Sequence, residues 1–260
     1  MFVTSKEKNL TDRYIEEGYI IEKVSNEESL RWMKNNLIQF IREVIEIDLA
    51  DNEILNNFHK KISVENLNDI RVKIIQKINQ NKDFRSEYYK IAKPFLDIIV
   101  GNEVSMQLRT NLSIQIPNDD SSLLPIHADT WSGDSPFETV VWIPFVDCYD
   151  TKSMFILDPI NTDILMKNFN ENFNKSSDEI YNSIKDKLHW INIKYGEVLI
   201  FNQSLPHGNV INKESETRWS MNVRFKGIFT PYGDKKIGEF FEPINLKAAS
   251  IIGMKYSKDK

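Results

Sequence analysis

The stretch VSMQLRTNLSIQIP, residues 104–117, is where the chain changes its period. Met106, Leu108, Leu112, Ile114 and Ile116 share one parity, and Gln107, Arg109, Asn111, Ser113 and Gln115 share the other. That alternation belongs to extended chain with one polar face, either one long strand or two strands meeting. Upstream, the apolar residues recur at helical spacing. SNEESLRWMKNNLIQFIREVIEI (25–47) opens with Ser25 and Glu28 in a capping-box pattern and sets Leu30, Met33, Leu37, Ile41 and Val44 on one face. SVENLNDIRVKIIQKINQN (63–81) offers Ser63 as N-cap and Leu67, Ile70, Ile74 and Ile78 as its stripe. A third helix, RSEYYKIAKPFLDIIVG (85–101), is expected to bend at Pro94 and stop at Gly101. Such stripes face a core, and residues 1–103 read as a mainly helical region.

Downstream, TVVWIPFVD (139–147), KSMFILD (152–158), HWINIKYGEVLIFN (189–202) and RWSMNVRFKGIFTP (218–231) read as further strands. A segment rich in Asn, Lys and Ser separates the second from the third and is expected to be a helical insertion near 160–187. Many short strands after a helical half predict an α+β fold, a β-sandwich or barrel with the helices packed outside.

At 260 residues the chain is long enough for one large domain with a substantial core. Its net charge of −5 argues against nucleic-acid or anionic-membrane partners, which need a concentrated basic face. The single cysteine, Cys148, rules out an internal disulfide and a multi-cysteine zinc site, and is expected to be a small buried residue. Residues 1–25 are charged throughout, and no window approaches twenty apolar residues, so a cytoplasmic protein is expected.

The chemistry concentrates in two stretches. In LLPIHADTWSGDSPFETVVWIPFVD (123–147), His127 and Asp129 lie two apart, so on extended chain both side chains point the same way and can meet one metal ion. Two polar residues at a strand end would look the same. In GEVLIFNQSLPHGNVINKESETRWSMNVRF (196–225), a Pro-His-Gly corner presents His207. Two imidazoles and one carboxylate make a facial triad that leaves three positions open, enough for a bidentate 2-oxo acid and O2. The far carboxylate of such a co-substrate calls for an arginine. Arg218 follows His207 by eleven residues, and Ser220, Asn222 and Arg224 continue its strand face, which suits either a pocket wall or a solvated surface.

The order His127-x-Asp129, His207, Arg218-x-Ser220 resembles the Fe(II)- and 2-oxoglutarate-dependent dioxygenase superfamily, in particular its phytanoyl-CoA hydroxylase-like branch. LSIQIPNDDSSLLPIHADTWSGDSPFETVVWIPFVD (112–147) is further similar to oxygenases found with bacterial carbohydrate biosynthesis clusters. The resemblance implies a double-stranded β-helix, or jelly roll, over 104–230, followed by a C-terminal extension, 231–260. It makes His127, Asp129 and His207 the ligands of Fe(II), and Arg218 with Ser220 the anchor of 2-oxoglutarate. Gln115 is then either a further co-substrate contact or a structural amide. Trp131 and Asp134 stand in a loop over the metal and are candidate substrate contacts, while Arg109 and Arg224 are candidates for an anionic handle, or else ordinary ion-paired arginines. His59 and His189 have no partner at ligand spacing and are expected to be structural. The implied activity is oxidation of a C–H bond, hydroxylation above all, of a small molecule such as a sugar or sugar derivative. A cupin-like sugar isomerase and a non-catalytic β-sandwich module are the alternatives.

Overall fold

The computed structural model describes residues 2–168 and 175–256. Helix α1 (Ser5–Glu17) starts in a capping box, Thr4 with Glu7, and ends on Gly18 at φ 80°. A Cβ on Gly18 would lie 2.2 Å from Leu205 Cδ1, so both the left-handed turn and the close approach require glycine. The chain then forms strand β1 (Tyr19–Lys23), which interrupts the expected helical region. Five residues are too few to declare a period, and pairing with a distant strand decides their conformation.

Helices α2 (Glu27–Val44), α3 (Val64–Gln80) and α4 (Phe84–Ile99) follow, with the expected stripes of α2 and α3 buried except for the half-buried Val44. The capping box expected at Ser25 does not form: Asn26 caps α2 by accepting from the Ser29 amide. Ser25 Oγ instead reaches the carbonyls of Lys90 and Ile91, both at 2.7 Å. Pro94 has no N–H for the Lys90 carbonyl, and Ser25 supplies the missing donor.

Strands β2 (Val104–Gln107) and β3 (Asn111–Gln115) are separate, and both pair antiparallel with the long strand β9 (Arg218–Gly227). The break falls where α3 grips the Thr110 peptide: its amide donates to Asn79 Oδ1 (2.8 Å) and its carbonyl accepts from Asn79 Nδ2 (3.2 Å). The polar parity of this stretch is buried at its two ends, Gln107 and Gln115 at 3% and 0% exposure, while Arg109 and Asn111 at the break are exposed.

The remaining strands are β4 (Glu138–Pro144), β5 (Phe155–Leu157), β6 (Leu188–Trp190), β7 (Glu197–Asn202), β8 (His207–Gly208) and β10 (Phe241–Asn245). The larger sheet runs β1-β7-β4-β9-β2-β10, with β3 also on β9, and the smaller runs β6-β5-β8. Together they form a jelly-roll core with helices outside it. Tyr88 of α4 ties the helical layer to the sheet by donating to the carbonyls of Val141 (2.8 Å) and Met221 (3.1 Å). The larger sheet recruits β1 and β10 from outside 104–230.

Within the expected insertion lie α5 (Pro159–Lys167), capped by Asp158, and α6 (Ser177–Ile184), with a Ser176–Glu179 capping box; 169–174 fall outside the described residues. A last helix, α7 (Ala248–Met254), follows β10. Among the described residues no helix is long and apolar enough to cross a membrane. Cys148 is buried and unpaired.

Candidate metal centre

His127 and His207 exchange backbone hydrogen bonds across the smaller sheet, amide to carbonyl at 3.0 and 2.8 Å. Their rings lie 4.4 Å apart between centroids. Each Nδ1 sits 2.8 Å from the carbonyl two residues upstream, that of Pro125 and that of Leu205. A carbonyl only accepts, so each ring donates Nδ1–H and keeps its Nε2 lone pair free for a ligand. Asp129 enters a short helical turn (Asp129–Ser132), its amide bonded to the Gln203 carbonyl (3.0 Å). One ligand atom from each of His127, Asp129 and His207 falls within 4.8 Å of the others.

The charges suit a divalent ion. Burial alone would push the Asp129 carboxyl up, but the His127 ring beside it and the paired Arg224 guanidinium hold it well below the usual carboxylate range. His207 is pulled down to about 4, first by burial and then by His127, and stays neutral at physiological pH. One carboxylate and two imidazoles brought this close together are a donor set for a non-haem iron ion.

Arg218 forms a second cluster. It is 3% exposed, donating Nη1 to the Ser153 carbonyl (2.9 Å) and Nη2 to Ser113 Oγ (3.0 Å). No carboxylate pairs with it among the described residues, and burial pulls its pKa down to about 10. Arg218 Nε, Ser220 Oγ, Ser153 Oγ and Gln115 Oε1 are all buried without a hydrogen-bond partner. Gln115 pairs with Arg218 and Ser113 with Ser220 across β3 and β9, which puts these side chains on one face. A buried guanidinium left without an anion is costly. The group that would satisfy it is an acidic ligand, and a cavity of about 80 Å³ offers the space, lined by Arg218, His207, Ser113, Asn222, Trp142 and Phe201 among others.

The other candidates are placed as follows. Arg224 follows the ion-paired alternative and not the anionic handle, donating Nη2 (2.6 Å) and Nε (3.1 Å) to Asp129 Oδ2, because a buried carboxylate draws in the nearest cation. Asp134, a candidate substrate contact, is buried behind it, 3.5 Å from Arg224 Nε and 2.6 Å from Lys235 Nζ. Trp131 is half-buried in the turn after Asp129, and Arg109 is exposed between β2 and β3. Gln115 also donates Nε2 to the Val210 carbonyl (2.5 Å). His59 Nδ1 meets Thr217 Oγ1 (2.9 Å), and His189 lies 3.4 Å from Asp158. Gln203 was not singled out by sequence: fully buried, it accepts from Arg224 Nε (3.0 Å) and donates to the Ser135 carbonyl and Glu138 (both 2.9 Å). No spacing signals it, since its partners come from other strands.

No family model matches the chain, and no curated protein matches its sequence. Solved structures do match. EctD from S. alaskensis, in its apoform, aligns with TM-score 0.57 and 11% identity over 92% of this chain and 83% of that one. HygX from Streptomyces hygroscopicus, with nickel and 2-oxoglutarate bound, gives 0.53 and 11% over 88% and 89%. The non-heme alpha-ketoglutarate-dependent carbocyclase SnoK from nogalamycin biosynthesis gives 0.52 and 14% over 94% and 97%. The chain therefore has the fold of the non-haem, 2-oxoglutarate-dependent oxygenases.

Proposed function

We propose that the chain is an Fe(II)- and 2-oxoglutarate-dependent oxygenase that oxidises a C–H bond of a small molecule. The observation that carries this reading is Arg218, a buried cation without a paired carboxylate among the described residues, opening onto the same cavity as His207. His127 Nε2, Asp129 Oδ1 and His207 Nε2 would hold the ion, and Arg218, helped by Ser220 and Gln115, would take the far carboxylate of the co-substrate. When bound, ion and co-substrate supply an oxidant for C–H bonds, formed from O2 as the 2-oxo acid loses CO2.

The chain's own residues do the rest. The Nδ1 bonds to the Pro125 and Leu205 carbonyls fix both imidazoles with Nε2 inward. Arg218 sets the direction of the co-substrate, and Trp142, Phe201 and Met154 keep water from the cavity wall. For the substrate we favour a sugar or sugar derivative, supported by the resemblance of residues 112–147 to oxygenases of carbohydrate clusters, with Trp131 and Arg109 as its contacts and hydroxylation as the outcome. The lone cysteine supports a reducing, cytoplasmic setting.

The test is anaerobic titration with Fe(II) and then 2-oxoglutarate, followed by visible absorption. A weak charge-transfer band in wild type that vanishes in His207→Ala is the expected result. Metal binding without a band would overturn the reading in favour of a metal-dependent isomerase.

A further inference from the structure

Behind Asp129 the chain has built a closed set of charges that metal binding as such does not require. Arg224 spends two donors on Asp129 Oδ2, which leaves Oδ1 facing His127 Nε2 at 3.5 Å. Its Nε also meets Gln203 Oε1 and, at 3.5 Å, Asp134 Oδ2. Asp134, its side chain 1% exposed, takes Lys235 at 2.6 Å. Two carboxylates thus alternate with two cations, and the outermost cation comes from the C-terminal segment.

That segment is locked onto the turn carrying Asp129. The Asp234 amide donates to the Gly133 carbonyl (3.0 Å), and a Cβ on Gly233 would lie 2.2 Å from that same carbonyl oxygen. Gly133 itself has φ 88°, which favours glycine, and at Gly233 the two backbones meet where a side chain has no room. Next to them the Tyr232 hydroxyl bonds Ser105 Oγ (2.8 Å), and Lys226 Nζ lies 3.5 Å from the Tyr232 ring centre and donates to the Pro231 carbonyl (2.5 Å).

We propose that residues 231–235 form a strap belonging to the metal centre, and that Arg224 is the positioning residue through which the strap keeps Asp129 a one-oxygen ligand. The inference rests on the metal-site reading above. A carboxylate with both oxygens free can take two coordination positions on one ion, and the second would come from those a bidentate co-substrate needs. Arg224 occupies Oδ2 and prevents this. Lys235 neutralises Asp134, so Asp134 does not draw Arg224 away from Asp129.

Co(II) and 2-oxoglutarate test the proposal on the full chain. Arg224→Gln retains Co(II) but alters its d–d spectrum, and weakens 2-oxoglutarate binding to the Co(II)-loaded protein by about tenfold or more. Arg224→Lys, with one donor site, recovers part of the loss. Lys235→Gln shifts both readouts in the same direction by a smaller factor, on the order of threefold. Lys235 is 31% exposed, so this variant decides the matter should Arg224→Gln not fold. Unchanged spectra and unchanged 2-oxoglutarate affinity in these variants overturn the strap; loss of Co(II) in His207→Ala alongside would leave the metal site standing without it. If wild type takes up no Co(II), both readings fall.

Discussion

Arg218 sits at the first position of β9 with a buried guanidinium and no carboxylate paired with it among the described residues, an arrangement that a fold optimised for stability alone would avoid. On the proposed function it is held ready for a carboxylate, which predicts opposite effects on stability and binding. Arg218→Met, of similar length and without charge, should raise the stability of the ligand-free protein by about 1–3 kcal/mol while abolishing 2-oxoglutarate binding. Thermal melts and co-substrate titration check the two halves separately. A lower melting temperature would mean that the bonds to Ser153 and Ser113 outweigh the desolvation of the charge. The arginine was legible in the sequence from its spacing to His207. Ser220 and Gln115 beside it were legible too, but Ser153 was not, because it reaches Arg218 from a different part of the chain.

At the scale of elements, periodicity identified α2, α3 and α4, and it failed where long-range pairing decides. β1 is a strand because β7 pairs with it along five residues, Tyr19 to Lys23. The Ser25–Glu28 pattern has the spacing of a capping box, yet Asn26 is the cap, since Ser25 is drawn to the carbonyl that Pro94 frees in α4. Ser25→Ala should therefore cost about 1–2 kcal/mol in urea unfolding. Adding Pro94→Ala should return part of that loss, because an N–H at position 94 can serve the Lys90 carbonyl. Strictly additive losses in the double variant would refute the link between the two helices.

Across the whole molecule, the jelly roll converts strand alternation into an interior polar wall. The parity carrying Gln107, Ser113 and Gln115 looks like a solvent face by sequence, yet Gln107 and Gln115 are buried, Gln115 and Ser113 beside the polar residues Arg218 and Ser220 of β9, and only Arg109 and Asn111 at the break are exposed. The buried ionisable groups on these inner surfaces link global stability to pH. His207 has an ordinary value of 6.5 and is pulled down to about 4 in the fold, so between these pH values the unfolded chain binds the extra proton. Stability of the metal-free protein should fall as pH drops through that window, by on the order of 3 kcal/mol. Asp129, held low in the fold, is stabilising above the unfolded carboxylate range, and its contribution is lost only at still lower pH. Urea melts from pH 7.5 to 4 check this, and His207→Gln should flatten the slope above pH 4.5.

The sequence by itself determined the element types with a long period and the choice of chemistry. Apolar spacing along one segment is a local property, and His127, Asp129, His207 and Arg218 announce themselves by residue type and order. Only the tertiary structure decided which charge answers which. Arg224 and Asp129 are 95 residues apart, Lys235 and Asp134 are 101 apart, and Gln203 joins them from a third element. A buried charge takes its role from the partner that folding brings within 3 Å of it, and strand pairing sets that partner, not proximity along the chain.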